Sequence, residues 1–280
     1  NHKSFSDITK PKGGPVTIED HQLTGVTYTA SPNHGGTLIP DSLIIHYTAS
    51  SSASSAIKTL THPAKKVSAH LVIDTDGSIT QLVPFNVVAY HAGKSQFNGR
   101  VGFNKYAIGI EVVNPGRLRR SDHSFYTWYE KEIPIKDVIF ATHRNETTPT
   151  YWHKYTEAQI SVIEELCELF KDVYGISQIL GHEEVSPHRK IDPGPAFPLD
   201  KLRNRVLQTH SRDSDEQEDI TESTGRVTAG VLNVRSGPST SYNKLTALTR
   251  NHKVTILEES ENWLKVRTTV EGWVSKKFIS

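Results

Sequence analysis

Residues Leu180–Phe197 read LGHEEVSPHRKIDPGPAF. This stretch combines two glutamates, two histidines, an Arg-Lys pair and an aspartate, and three prolines follow the aspartate within six residues. Proline restricts the backbone of its own residue and of the residue before it. A solvated loop gains nothing from such stiffening, whereas a site that holds a metal ion or an oxyanion needs its side chains fixed in place. The stretch therefore predicts part of a site, whose remaining side chains have to come from elsewhere in the chain.

The composition is that of a globular protein with enough residues for one large domain or two smaller ones. The chain has 280 residues, of which 35% are apolar, and a formal net charge of +1. A charge this small gives no strong attraction to nucleic acid or to a membrane surface. No apolar run approaches the ~18 residues that span a bilayer, and no signal peptide is visible. Localisation therefore has to be inferred from the substrate.

The single cysteine, Cys167, excludes an internal disulfide framework. It lies between Leu166 and Glu168 in a segment with helical periodicity. Free cysteine often behaves as a small apolar residue. We therefore predict a buried structural thiol and not a nucleophile.

A change of composition near residue 210 predicts two domains. Residues 211–224 read SRDSDEQEDITEST and contain six acidic side chains against one basic side chain. A segment this polar buries too little surface to offset the entropy of ordering it, which indicates an acidic flexible linker. Residues 1–210 form the first domain with an N-terminal extension, and residues 225–280 form the second.

Strand and helix patterns alternate in the first domain, which predicts an α/β fold. The turn signal TDGS at Thr75–Ser78 joins two of the predicted strands in a hairpin. The predicted strands are Leu43–Tyr47, Ala69–Asp74, Ser78–Val83 and Ala107–Val113. The second domain has only short β-branched runs separated by turn residues, which predicts a small all-β fold. These runs are Val231–Val234, Lys253–Leu257, Trp263–Arg267 and Gly272–Val274.

The clearest helix is predicted over Glu157–Tyr174. Thr156 is its expected N-cap, and Gln159 three residues later completes a capping box. Gly175 stands where a helix-ending glycine belongs. The apolar face, at spacings of three and four residues, consists of Ile160, Ile163, Cys167, Phe170 and Tyr174.

The segment Gly116–Tyr155 has weak periodicity, many aromatic residues and several polar breaks. Loops of this length without structure of their own are uncommon in compact domains and are usually functional. We therefore interpret the segment as a long insertion that forms part of a substrate groove.

Three polar residues stand in or directly after apolar runs. His46 ends SLIIH, Glu111 lies inside AIGIEVV, and His182 follows ISQIL after one glycine. Strand ends meet at one edge of a parallel or mixed sheet, so these side chains can converge. Each histidine alone is more often a structural residue that hydrogen-bonds its neighbours. A glutamate between isoleucine and valine either faces solvent or has a function, because burying an unpaired carboxylate is costly.

With Asp192, His46 and His182 would make a two-histidine, one-aspartate zinc set. Catalytic zinc sites keep a fourth position open for water or substrate. The spacing does not match HExxH, so from the residues alone a zinc site and a set of structural side chains both remain open.

Five segments together resemble the zinc-dependent N-acetylmuramoyl-L-alanine amidases of the amidase-2 type, the family of the AmpD and AmiD-like amidases and of the peptidoglycan recognition proteins. The segments are LIIHYTAS, VSAHLVIDTDGSITQLV, VAYHAG, AIGIEVVNPG and ILGHEEVSPHRKIDPGPAFP. The likeness covers roughly residues 38–207, and the last segment is the most specific. It implies an α/β fold with a mixed central sheet flanked by helices.

The resemblance also implies the site and the reaction. His46, His182 and Asp192 would bind one Zn²⁺, and Glu111 and Lys190 would be the catalytic pair. The reaction would be hydrolysis of the amide between N-acetylmuramic acid and L-alanine in peptidoglycan or its anhydro-muropeptides, in the cell envelope (periplasm) or outside the cell. His70 and His91 lie in family-like segments, and for them substrate binding and structural hydrogen bonding are equally open. His188 is expected to be exposed, and His62 and His143 carry no signal.

The second domain resembles the bacterial SH3 domain through LNVRSGPSTSYNKLTAL, NWLKV and EGWVSKKFI. Residues 225–280 carry nine basic and four acidic side chains, a net charge of +5. A basic module suits an anionic wall polymer, so we expect it to bind the cell wall; a plain spacer is the alternative. Trp263, Trp273 and Tyr242 are expected to be core or turn residues first and platforms for a ligand second.

Two other functions compete with a housekeeping amidase. Some relatives of this fold bind peptidoglycan without cutting it, and in those the metal set is incomplete. A phage or interbacterial lytic protein would use the same chemistry. The complete set of ligands and catalytic candidates favours an enzyme.

Overall fold

The computed structural model describes residues 16–207, 224–260 and 263–268. The chain divides into two compact units, residues 1–210 and 211–280. The predicted acidic linker lies outside the described residues except for Thr224, which begins a strand. Among the described residues, no helix is both long and apolar enough to cross a bilayer.

The first unit is built from short strands and a few helices. Its strands are β1 (Ile18–Glu19), β2 (Gln22–Leu23), β3 (Thr27–Tyr28), β4 (His34–Thr37), β5 (Ser42–Tyr47), β6 (Leu71–Ile73), β7 (Ile79–Gln81), β8 (Val87–Ala89), β9 (Gln96–Phe97), β10 (Arg100–Val101), β11 (Ala107–Val112), β12 (Arg117–Ser121), β13 (Ser124–Tyr126), β14 (Glu132–Ile133), β15 (Val138–Thr142), β16 (Pro149–His153) and β17 (Gln178–Gly181). Its α-helices are α1 (Ala53–Leu60), α2 (Glu157–Tyr174), α3 (His182–Val185) and α4 (Leu199–Leu207). Within the described part of this unit, 3₁₀ turns occur at Pro63–Lys65, Phe103–Lys105 and Ile135–Asp137.

A six-stranded sheet with the order β17-β5-β11-β6-β7-β3 forms the centre of this unit. The first four of these strands run parallel to one another. β6 and β7 pair antiparallel through the predicted hairpin turn, where Gly77 donates to the Asp74 carbonyl oxygen at 3.0 Å. The predicted α/β fold with a mixed central sheet is confirmed.

The two faces of the sheet bury different residues because successive side chains of a strand point to opposite faces. Ile45 and Ile110 belong to the large core that includes Phe170 of α2 and Leu202 of α4. On the other face Val72 packs in the cluster that contains Ala56 and Leu60 of α1, and Ile44 packs with Phe103 and Leu180. The even-numbered residues of β5 therefore lie on the face opposite to α2.

Helix α2 begins and ends where the sequence predicts. Thr156 and Gln159 make the reciprocal capping box, and Gly175 ends the helix in the left-handed region at φ +68°. Cys167 is fully buried, and burial raises the pKa of its thiol far above the ordinary value. The predicted burial of this cysteine is thereby confirmed.

The insertion, Gly116–Tyr155, is an ordered antiparallel sheet with the strand order β14-β13-β12-β16-β15. Leu118, Phe125 and Ile133 form its small core, and Val138 and Tyr151 pack against them. Its strands are two to five residues long, too short for a clear alternation of apolar and polar residues. The weak periodicity therefore reflects a small sheet and not an irregular loop.

The second unit is all β within its described residues. Its strands are β18 (Thr224–Arg226), β19 (Val231–Arg235), β20 (Lys244–Thr249), β21 (Lys253–Ser260) and β22 (Trp263–Arg267). Strand β20, absent from the predicted runs, pairs with β19. Val227, Leu248 and Val254 are buried, Trp263 is half-buried and Tyr242 is exposed. The predicted run Gly272–Val274, with Trp273, lies outside the described residues.

Candidate active site

Three neighbouring parallel strands bring His46, Glu111 and His182 to one level of the sheet. Glu111 on β11 is the register partner of His46 on β5. Gly181, the last residue of β17, pairs with Ile45, so the next residue, His182, follows level with His46. Because all three strands run in the same direction, their carboxyl ends lie at one edge. The predicted convergence of these three positions is what the structure shows.

Asp192 joins the two histidines from the loop after α3. His46 Nδ1 and His182 Nδ1 lie 2.9 Å apart, and Asp192 Oδ2 lies 3.2 Å from the first and 3.1 Å from the second. All three residues are buried. Among the described residues they form a group whose ligand atoms could hold one metal ion.

A chain of hydrogen bonds fixes the tautomer of His46. His91 Nε2 lies 3.1 Å from the Ala107 carbonyl oxygen, which only accepts, so Nε2 of His91 carries the proton. Its Nδ1 then accepts from His46 Nε2 at 3.0 Å. Burial holds the pKa of His46 down to about 4, and burial and the neighbouring His46 and His70 hold that of His91 well below its ordinary value. A neutral His46 that donates from Nε2 has a bare lone pair at Nδ1.

His182 is oriented in the same way by the loop that follows His91. Its Nε2 donates to the Ala92 carbonyl oxygen at 3.1 Å, so Nδ1 is the ring nitrogen that faces the other two side chains of the set. The guanidinium of Arg189 donates to the same carbonyl at 2.9 Å and to that of Lys94 at 3.0 Å. Metal-binding histidines are usually held by such hydrogen bonds from their second nitrogen.

The donor set fits zinc. Asp192 contributes a carboxylate oxygen, Oδ2, that faces the Nδ1 atoms of both histidines. Two imidazole nitrogens and a carboxylate oxygen thus converge at 2.9–3.2 Å. Tetrahedral bonds of ~2.0–2.2 Å to zinc place ligand atoms about 3.3 Å apart. A cation between the three atoms would remove their mutual repulsion, and nitrogen and oxygen ligands in this number are those of catalytic zinc sites.

Glu111 lies level with His46 on the neighbouring strand. Its Oε2 atom is buried and has no hydrogen-bond partner among the described residues. Burial raises the pKa of Glu111 well above its ordinary value, the charge of Asp192 raises it further, and the charge of Lys190 lowers it. Lys190 likewise lowers the pKa of His46, so its ammonium lies within electrostatic reach of both groups. A buried carboxylate with an open oxygen is suited to taking a proton from water or substrate.

The other histidines of the family-like segments have structural contacts. His70 has no exposed surface; its Nε2 donates to the Val87 carbonyl oxygen at 2.8 Å and its Nδ1 accepts from the Gly109 N–H at 3.0 Å. A Cβ at Gly109 would collide with the ring of His91, so glycine lets that ring approach β11. Both His70 and His91 thus make hydrogen bonds within the fold, and their binding of substrate stays a prediction. His188 is exposed, as predicted.

Sequence reasoning missed His143 and Arg144. His143 is buried in the insertion, with Nε2 2.8 Å from Glu183 Oε2, and Arg144 Nε donates to Glu183 Oε1 at 2.9 Å. Glu183 directly follows the candidate ligand His182. Two adjacent polar residues in HRNET give no periodic signal. Only the fold brings them to Glu183, which follows His143 by 40 residues in the sequence.

The insertion also places Trp128 beside the loop that follows β5. Its indole is 67% exposed and donates from Nε1 to the Ala49 carbonyl oxygen at 2.8 Å, three residues after His46. The ring of Tyr129 packs edge-on against the Trp128 ring, with the ring centroids 5.3 Å apart. That the insertion forms part of a substrate groove stays a prediction. If it does, these two rings are the side chains of the insertion that we expect to contact the substrate.

The N-acetylmuramoyl-L-alanine amidase family matches residues 36–195, which include His46, Glu111, His182, Lys190 and Asp192. The chain belongs to this family. The bacterial SH3 domain matches residues 230–280. The resemblance drawn from the sequence is therefore confirmed for both domains.

Curated relatives include two amidases of Escherichia coli K12. The 1,6-anhydro-N-acetylmuramyl-L-alanine amidase AmpD is 35% identical over 142 residues, which cover 51% of this chain and 58% of AmpD. The N-acetylmuramoyl-L-alanine amidase AmiD is 33% identical over 177 residues, which cover 59% of this chain and 52% of AmiD. The chain thus spans about three fifths of the AmpD relatives it matches. A crystal structure of an AmpD derivative aligns with a TM-score of 0.49 at 25% identity, covering 68% of this chain and 98% of that one.

Proposed function

We propose that this protein is a zinc-dependent amidase that hydrolyses the bond between N-acetylmuramic acid and L-alanine in peptidoglycan or its anhydro-muropeptides. The observation that carries the proposal is the convergence of His46 Nδ1, His182 Nδ1 and Asp192 Oδ2 at 2.9–3.2 Å. Glu111 on the neighbouring strand adds a buried Oε2 atom that has no hydrogen-bond partner among the described residues. The names of the AmpD and AmiD relatives support the bond and the anhydro-sugar substrate.

His46, His182 and Asp192 would hold the zinc ion. Zinc, when bound in such a site, lowers the pKa of a water molecule and polarises a carbonyl group. Glu111 takes the proton of the attacking water through its open Oε2 and delivers it to the leaving amine of L-alanine. The ammonium of Lys190 stabilises the negative charge that develops on the carbonyl oxygen. The products are a free muramyl carboxylate and a stem peptide that begins with L-alanine.

Mass spectrometry of digested peptidoglycan tests this proposal. Soluble products are analysed after incubation with the untreated protein, with the protein plus a chelator, and with the chelated protein after zinc is restored. We expect stem peptides with free N-terminal L-alanine in the first and third samples and none in the second. Parallel digests of intact murein and of anhydro-muropeptides show which sugar form is accepted. If the protein binds zinc and sediments with the wall but releases no peptide from either substrate, the function is peptidoglycan binding without cleavage.

The second domain is proposed to hold the enzyme on the cell wall, which places its action in the envelope or outside the cell. Its net charge of +5 over residues 225–280 suits an anionic polymer. Tethering raises the concentration of the catalytic domain at an insoluble substrate.

Removal of residues 225–280 is expected to lower the fraction of protein that sediments with purified walls while leaving kcat on a soluble muropeptide unchanged. The physical reason is that the tether contributes to binding of the polymer and not to the reacting groups. Sedimentation is measured at low and high salt, because binding by charge weakens with ionic strength. Equal sedimentation of the full and shortened chains would favour the plain spacer.

A further inference from the structure

Glu183 is a buried anion next to a proposed metal ligand, and it is not itself part of the ligand set. Its side chain is 2% exposed. Oε2 accepts from His143 Nε2 at 2.8 Å and from the Gly194 N–H at 2.9 Å, and Oε1 accepts from Arg144 Nε at 2.9 Å. A buried charge is costly unless it is paired and hydrogen-bonded, and here both oxygens are satisfied. Most of the partners come from the insertion.

These contacts join the two segments that carry ligands. The backbone N–H of Glu183 donates to the Asp192 carbonyl oxygen at 2.8 Å. Gly194, two residues after Asp192, donates to the Glu183 side chain, and His143 Nε2 also lies 3.2 Å from the Ile191 carbonyl oxygen. The positions of His182 and Asp192 are therefore tied to each other through Glu183 and His143.

Aromatic side chains of the insertion also pack against the residues that follow Asp192. His143 stacks on Trp152 with ring centroids 5.7 Å apart, and a Cβ at Gly194 would lie 2.8 Å from the Trp152 ring. Tyr155 donates to the Pro193 carbonyl oxygen at 2.7 Å. The Asn145 side chain donates to the Glu183 carbonyl oxygen at 2.9 Å.

The tautomer of His143 is fixed from within the insertion. The Asn145 N–H donates to His143 Nδ1 at 3.1 Å, so the proton of the neutral ring sits on Nε2 and points at Glu183. Arg144 also donates to Glu184 Oε1 at 2.6 Å, and Glu184 in turn accepts from the Gly181 N–H at 2.8 Å. Arg144 thus binds both residues that follow His182 in the chain, and the second of them holds the N–H of the residue before His182.

We propose that the insertion supports the metal site, and that His143 and Arg144 are positioning residues that fix His182 and Asp192 through Glu183. This inference rests on the proposed zinc site but not on the reaction. Neither residue contacts the proposed ligand atoms, so their effect acts through the geometry of the ligands. Changes outside the ligand sphere typically lower metal affinity by about 10- to 100-fold.

The test measures zinc binding by the full chain, independently of catalysis. The zinc Kd comes from competition with a chromophoric chelator, the ligand geometry from the absorption spectrum of the Co²⁺-substituted protein, and the fold from thermal unfolding of the metal-free protein. His143→Leu removes the donor at nearly the same volume, whereas His143→Gln keeps an N–H that can reach Glu183. Arg119→Ala is the matched control, because Arg119 pairs with exposed Glu130 at 2.6 Å within the same insertion.

We expect His143→Leu to raise the zinc Kd by about 10- to 100-fold and to alter the Co²⁺ spectrum. His143→Gln should restore part of the affinity, and Arg119→Ala should match the unchanged protein. If His143→Leu does not fold, Arg144→Ala is measured instead, because Arg144 lies partly at the surface. Folded His143→Leu or Arg144→Ala protein with unchanged Kd and spectrum would overturn the inference, even with a lower Tm. Zinc binding without peptide release would instead defeat only the proposed function.

Discussion

Asp192→Ala is expected to lose both zinc and amidase activity. The substitution removes one of three ligand atoms and the only carboxylate among them, and the bare nitrogens of His46 and His182 are left 2.9 Å apart without an anion beside them. Because outer-shell changes already cost about 10- to 100-fold in affinity, removal of a ligand should cost more. Bound zinc is measured by elemental analysis after dialysis, and activity by release of stem peptide from a muropeptide.

His188→Ala is the matched control for this change. His188 lies in the same stretch, four residues before Asp192, but is exposed, so its variant should keep zinc and activity. A ligand that binds only the folded state also raises its stability. A chelator should therefore lower the Tm of the unchanged protein and leave that of Asp192→Ala where it is. An Asp192→Ala protein that retains one zinc per chain would contradict the assignment of Asp192.

The elements that could be predicted from the sequence are those whose signals are local. Helix α2 carries its own start and stop signals in Thr156, Gln159 and Gly175, and the structure uses all three. Strand β5 is a continuous apolar run because it is covered on both faces. Strand β20 has no such signal. It belongs to a two-stranded sheet and exposes most of its residues, so burial imposes no alternation of apolar and polar residues on it.

The residues of the site likewise differ in whether the sequence near them carries a signal. His46, Glu111 and His182 could be predicted because a polar side chain within an apolar run is conspicuous in sequence. His91 lies in a family-like segment of the sequence. Its hydrogen bonds to the Ala107 carbonyl oxygen and to the ring of His46 could not be predicted, because only the fold brings these groups together. His143 gave no signal, because nothing near it in the chain shows that it will meet Glu183.

Glu111 is a residue whose burial lowers the stability of the fold. A carboxylate oxygen buried without a hydrogen bond costs free energy, and burial raises the pKa of Glu111 well above its ordinary value. Protein structures keep such costs mainly at functional sites. If the cost is maintained for catalysis, replacing the carboxyl group with one that cannot ionise should improve stability while it destroys activity.

Glu111→Gln is therefore expected to lower kcat by about 10²- to 10⁴-fold, the usual contribution of a general acid or base. Glutamine has nearly the same shape but cannot take a proton from water, so bound zinc and KM should change little. The Tm of the metal-free variant at neutral pH should equal or exceed that of the unchanged protein, because glutamine removes the free-energy cost of either burying an ionised carboxylate or protonating it on folding. Single-turnover kinetics, zinc analysis and thermal unfolding on one preparation separate these effects. Activity within a few-fold of the unchanged protein would remove Glu111 from the mechanism, and loss of zinc would make it part of the metal site instead.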